Sequence, residues 1–138
     1  MNNKSYPIQI RFSDIDTMGI VHNAVYLQYF EQARLFFFKE LAGTDWDWVS
    51  HGVIVARNEV DYLIPVFLQD EINVEIFCVS IGNSSFCLGY KVWAKNSTGN
   101  LLKAKGQSIM VCYNHATKAK MPVFDKWKEL LLVHNEHL

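Results

Sequence analysis

The sequence has almost no net charge, no even set of cysteines, no long apolar run and no internal repeat. Thirteen basic side chains against fourteen acidic ones leave a formal net charge of −1. No field of one sign is available to gather nucleic acid or an anionic membrane surface, so neither is expected as a partner. The three cysteines, Cys78, Cys87 and Cys112, form an odd set inside apolar runs. That pattern argues for free buried thiols in a reducing compartment and against a disulfide framework. Their spacing fits no zinc pattern. His134 and His137 have a ligand-like spacing but lack a partner pair, so no metal is expected. No apolar run reaches the roughly 18 residues that a membrane span needs. The opening stretch MNNKSYPIQIRF carries nothing like a signal-peptide core. The expectation is a soluble cytoplasmic protein without membrane insertion, in which the sequons at Asn83 and Asn96 carry no meaning.

What the chain does have is apolar surface. Hydrophobic residues make up 50% of the 138 and aromatics 14%. One domain over residues 1–138 is expected from this length, and such a chain buries roughly two-thirds of its unfolded surface. The aromatic content suggests an apolar pocket or a large subunit interface beyond the core.

The stretch Ile10–Arg34, IRFSDIDTMGIVHNAVYLQYFEQAR, organises the rest. Tyr6 to Phe12 alternates like a short strand. Ser13 to Val21 reads as a turn, with Asp14 and Asp16 inclined to side-chain to backbone bonds and Gly19 free to take an unusual backbone geometry. Asn23 is the expected N-cap of a helix running to about Leu41, with Gly43 at its C-terminus. Tyr26, Tyr29, Phe30, Ala33, Phe36 and Phe37 share one face, and Leu27, Leu35, Phe38 and Leu41 widen it. A helix this apolar is expected to be wrapped rather than laid on a surface.

Thr44 to His51, with Trp46 and Trp48, reads as a short helical turn or cap. Four strands follow, over Val53–Tyr62, Glu71–Ile81, Ser85–Lys95 and Leu101–Tyr113. Tight turns at Gly82–Ser84 and Asn96–Asn100 make the last three an antiparallel meander. In the second, Ile72, Val74, Ile76 and Cys78 alternate with Glu71, Asn73 and Glu75; in the third, Phe86, Leu88, Tyr90 and Val92 share a face. Phe124 to His137 is the expected closing helix. The order predicts an α+β fold, an antiparallel sheet with one face covered by a long helix.

At the turn, Asp14, Asp16, Gly19, Val21, Tyr26, Glu31 and Arg34 fall on the pattern D-x-D-x-x-G-x-V-x-x-x-x-Y-x-x-x-x-E-x-x-R. Tyr62, Pro65 and Asp70 add Y-x-x-P-x-x-x-x-D. The chain resembles the hot-dog-fold acyl-CoA thioesterases of the 4-hydroxybenzoyl-CoA thioesterase type along essentially its whole length. The resemblance implies a curved antiparallel sheet wrapped around the long helix. It further implies two subunits paired sheet edge to sheet edge, as a homodimer or within a homotetramer built back to back or face to face, with an acyl-CoA substrate bound between subunits and no cofactor. It makes Asp16 the catalytic carboxylate, assigns polarisation of the thioester carbonyl to the backbone N–H of Asn23, and puts His22 beside it. Gly19, Tyr26, Tyr29 and Phe86 are the candidate substrate-binding residues.

These residue types suit the chemistry. Thioester hydrolysis needs an activated water or nucleophile, and stabilisation of charge on the carbonyl oxygen. A helix N-terminus offers free amides and a dipole to that oxygen. A carboxylate beside it can act as general base or attack directly. Plainer roles stand next to these. Asp14 reads as a turn-former, Gly19 as a conformational requirement and His22 as a solvated turn residue. Tyr26 and Tyr29 read as half core and half pocket wall, Phe86 as core or interface, and Glu31 with Arg34 as a helix-face ion pair. The turn Gly82–Ser85 carries no charge where some relatives place a basic cluster for CoA phosphates. That leaves Arg57, Lys91, Lys95 or Lys103 for the nucleotide, or an acyl carrier protein as the thiol carrier. No hydratase or dehydratase motif is present. A non-catalytic acyl-CoA-binding module is the alternative from another class.

Overall fold

The computed structural model describes residues 3–134. The elements run β1 (Lys4–Ile8), a 3-10 turn (Phe12–Asp14), α1 (Val25–Ala42), β2 (Gly52–Tyr62), β3 (Ile72–Ile81), β4 (Ser85–Asn96), β5 (Gly99–Asn114), β6 (Ala119–Lys120) and α2 (Asp125–Val133). All the strand pairings are antiparallel, in the order β1-β3-β4-β5-β2, with β6 added to β5. The long helix lies against one face of this sheet, the α+β hot-dog architecture. Residues 135–138, where the expected closing helix ends and where His137 falls, lie outside the described residues. Among the described residues no helix is long and apolar enough to cross a membrane.

The sheet follows from period-two alternation. Ile72, Val74, Ile76 and Cys78 are at most 3% exposed, as are Phe86, Leu88, Tyr90 and Val92 on β4. Their alternates face the other side, where Lys91 lies 5.5 Å over the Phe77 ring. Phe30 of α1 stacks on Tyr90 at 4.2 Å between centroids and 5° between planes. Gly106 makes this approach possible, because a Cβ there would stand 2.8 Å from the Phe30 ring and 2.4 Å from the Glu59 carbonyl oxygen. All three cysteines are free and buried, and burial pushes the thiols of Cys78 and Cys112 up to about 11.

The later strands start and end within two residues of the sequence reading, and three other features differ from it. The first strand is Lys4–Ile8 rather than Tyr6–Phe12. The Asp14 carboxylate accepts the Arg11 N–H at 2.9 Å and curls the chain into the 3-10 turn before a strand can continue. The N-cap of α1 is Ala24, not Asn23. His22 does the capping instead: its Nδ1 accepts the Ala24 N–H at 3.1 Å and its carbonyl accepts the Val25 N–H at 2.9 Å. Finally, α1 is not wrapped all round. Leu35 and Phe36 remain 65% and 49% exposed on a side that the single chain leaves open. The C-terminus is as expected, with Gly43 at a φ of 77° and its N–H on the Lys39 carbonyl.

Thr44 to His51 forms a turn held by the Asp47 carboxylate, which accepts the Val49 and Ser50 N–H groups. Trp46 and Trp48 lean there on Trp127 of α2, which also stacks on Phe38 at 5.3 Å. α2 and this turn therefore close the end of the core beyond the C-terminus of α1.

Candidate active site

The turn ahead of α1 is built in two halves. In the first half, Asp14 is 2% exposed, and its carboxylate accepts the Tyr29 hydroxyl at 2.7 Å as well as the Arg11 N–H. Burial and the Asp14 carboxylate both raise the Tyr29 phenol far above its usual value. Asp14 is thus a structural anchor, as its place in a turn suggests. Tyr29→Phe would remove one acceptor bond from a buried carboxylate. The expected cost is about 1–3 kcal/mol in denaturant unfolding, and no loss of stability would sink the anchor.

Asp16 sits half-buried two residues on. Its Oδ1 accepts the Met18 N–H at 2.8 Å, and its carbonyl accepts the Gly19 N–H at 3.0 Å. Gly19 closes this turn at a φ of 81°, a region that costs other residues strain. The Asp16 N–H returns to the Ile20 carbonyl, Ile15 bridges to Val21, and the His22 N–H reaches the Asp14 carbonyl at 2.9 Å.

The second half leads into the helix. His22 and Asn23 are exposed. Among the described residues the Asn23 N–H has no hydrogen-bond acceptor, while its carbonyl accepts the Tyr62 hydroxyl at 2.8 Å. The Val21 N–H donates to the Val66 carbonyl at 2.8 Å. Asp16, Gly19, His22 and Asn23 therefore share one turn, with the exposed Met18 beside them. Tyr26 and Tyr29 are buried under it, at 3% and 1% exposure. Burial raises the Tyr26 phenol, against a hydrogen bond from the Val66 backbone. Phe86 lies elsewhere, edge-on to Phe38 and Trp127 in the aromatic cluster.

A cavity of about 570 Å³ opens farther along α1, between its C-terminal half, Trp48, and Val53, Val55 and Met110 of the sheet. Glu31 and Arg34 line it, but Asp16, His22 and Asn23 do not. The expected Glu31–Arg34 ion pair is not formed among the described residues. Arg34 is 7% exposed and donates from Nη1 to the Tyr90 hydroxyl at 3.1 Å.

The candidate phosphate ligands divide. Lys103 is ruled out, because its ammonium is buried against the Pro65 carbonyl at 2.8 Å and the Asp70 carboxylate at 3.3 Å. Arg57 pairs with Glu59 and Lys95 with Glu71 at the surface. Among the described residues no three His, Cys, Asp or Glu side chains come together. The roles of Tyr62, Val66 and Lys103 were not legible in the sequence. Tyr62, Pro65 and Asp70 stood out in the motif, yet nothing local says that this segment grips the helix entrance.

Residues 10–131 match the family model described as the Thioesterase-like superfamily. The acyl-CoA thioesterase YbgC of Haemophilus influenzae is 30% identical over 77 residues, 54% of this chain and 57% of that protein. A 1,4-dihydroxy-2-naphthoyl-CoA hydrolase of Synechococcus elongatus is 25% identical over 128 residues, 90% of this chain and 91% of that one. The chain spans just over half the length of the first curated relatives it matches, 56% and 57%. Among solved structures, a thioesterase from Thermus thermophilus, complexed with coenzyme A and Zn, is 35% identical. That likeness covers 91% of this chain and 94% of that one, with a TM-score of 0.78.

Proposed function

Because the chain belongs to the thioesterase-like superfamily, we propose that it hydrolyses acyl-CoA thioesters to the free acid and CoA, with Asp16 as the reacting carboxylate. One observation carries the reading. A half-buried carboxylate and a backbone N–H that has no acceptor among the described residues share the turn that opens α1. The Asn23 N–H and the helix dipole stabilise charge on the thioester oxygen. Asp16 takes a proton from water as water attacks the carbonyl carbon, or attacks that carbon itself to give a mixed anhydride. In the first route the C–S bond breaks and the proton taken up by Asp16 passes to the leaving sulfur. In the second CoA leaves as the thiolate. Water then cleaves the anhydride to give the free acid, restoring the Asp16 carboxylate and supplying the proton that makes CoA the thiol.

The test is thiol release from acetyl-, hexanoyl- and benzoyl-CoA, with an acyl carrier protein thioester alongside. Turnover of at least one CoA ester supports the reading. Tight binding with no thiol released over hours would assign the chain to the non-catalytic class. Turnover of the carrier-protein ester alone would move the thiol carrier, for which the uncharged turn at Gly82–Ser85 leaves room.

A second subunit completes the site in this reading. From Val25 to Glu31, the first helix residue that lines the cavity, the helix rises roughly 9 Å, so one chain separates its reacting turn from its cavity. Edge strand β2 presents Ile54 and Val55 at 39% and 40% exposure, and Val53 and Val55 also line the cavity. A partner pairing along β2 would cover the cavity mouth and offer its own turn. Light scattering should give two or four times the 16.0 kDa chain mass. A fully active monomer would refute the shared site.

A further inference from the structure

Lys103 sits in β5, far along the chain from the turn, yet its contacts lead there. Its carbonyl accepts the N–H groups of both Leu63 and Ile64, at 3.0 and 2.9 Å. Its ammonium donates to the Pro65 carbonyl, pairs with Asp70 and lies 5.3 Å over the Phe67 ring. The Lys103 and Asp70 side chains are only 7% and 19% exposed, so water screens this pair little. Asp70 also accepts the Phe67 N–H at 2.8 Å, and the Asp70 N–H returns to the Phe67 carbonyl. Residues 63–70 are thereby knotted around one buried cation.

The helix entrance is held at two points, one inside the knot and one at its leading edge. Val66, fully buried within it, accepts the Val21 N–H at 2.8 Å. Tyr62, just ahead of it, donates its hydroxyl to the Asn23 carbonyl and meets Tyr26 edge-on at 4.9 Å. These two bonds bracket the peptide that presents the Asn23 N–H. The carboxylate half of the turn has a separate anchor, the Asp14–Tyr29 bond.

We infer that Lys103 is a positioning residue for the carbonyl-polarising half of the site. Acting through residues 63–70, it sets where the Asn23 amide points. This rests on the thioesterase reading for its catalytic consequence, but not for its structural one. A buried ammonium suits the task because it can satisfy a carbonyl, a carboxylate and a ring face at once. A misplacement of about 1 Å in a reacting group can cost on the order of 100-fold in rate.

The experiment compares full-length wild type, Lys103→Met and Asp70→Asn. Asp70→Asn keeps the size of the side chain and its acceptor for the Phe67 N–H, and remains informative if Lys103→Met does not fold. Both variants should lose roughly 10- to 100-fold in kcat on the best acyl-CoA of the panel, with KM within about threefold. Amide exchange at Val21 should quicken at least about tenfold, while Ile76 and Leu88 at the centre of the sheet keep their protection. Wild-type kcat in the folded variants would overturn the inference. So would Val21 exchange that is unchanged, or that rises only in step with Ile76 and Leu88. If the wild type hydrolyses no acyl-CoA, the reaction assignment fails by itself, and the exchange measurement still decides whether Lys103 holds the helix entrance.

Discussion

Replacing Asp16 with alanine should lower kcat on the best acyl-CoA by roughly 10²- to 10⁴-fold, the usual contribution of a positioned acid or base. KM should change much less, because the acyl and nucleotide parts of the substrate do not depend on this carboxylate for binding. Alanine alone does not isolate the chemistry. The Asp16 carboxylate also accepts the Met18 N–H and so shapes the turn. Asp16→Asn keeps an acceptor oxygen at the same position and removes only the charge and basicity. Both variants should be comparably slow if proton transfer or nucleophilic attack runs through this group. An asparagine variant at wild-type kcat would assign Asp16 to turn geometry and leave the reaction without its carboxylate.

Phe30→Ala should give the largest loss of stability among single changes in α1. Phe30 is fully buried, stacked on Tyr90 and pressed against the sheet over Gly106. Truncation removes the transfer free energy of a large ring and leaves a void that the sheet cannot close, because Tyr90 and Gly106 belong to paired central strands. The cost of such a change is about 3–5 kcal/mol. For a chain of this length the midpoint should fall by on the order of 10 °C. Calorimetry at fixed protein concentration reads this directly. The concentration is held constant because a dimer couples folding to association. A shift of only a degree or two would mean that the α1–sheet contact collapses around the gap.

Much of the fold was legible because its signals are local. Alternation on β3 and β4 depends only on neighbours two apart, and every residue assigned to the inner face is buried. Gly43 ends α1 because a positive φ is cheap for glycine. Asp14 announces the turn by the bonds its side chain can make, and Gly19 by the dihedrals that the lack of a Cβ allows. The N-cap was misplaced because two adjacent polar residues could each have supplied it. The histidine ring reaches the Ala24 N–H, and Asn23 is left exposed.

From the sequence by itself come the element order, the inner face of the sheet, the turn that holds Asp16 and the family pattern on which the chemistry rests. Each is set by backbone preference or side-chain period over a few residues. Tertiary structure decided the rest. It buries Asp14 against the Tyr29 hydroxyl, diverts Arg34 from Glu31 to Tyr90 and withdraws Lys103 from the surface. It also brings Tyr62 and Val66 onto the helix entrance. Those contacts join residues about 15 to 56 positions apart. They exist only because the sheet must close over the helix to bury its apolar face. Once that face is buried, each polar group carried inside has to find a partner wherever the strands deliver one.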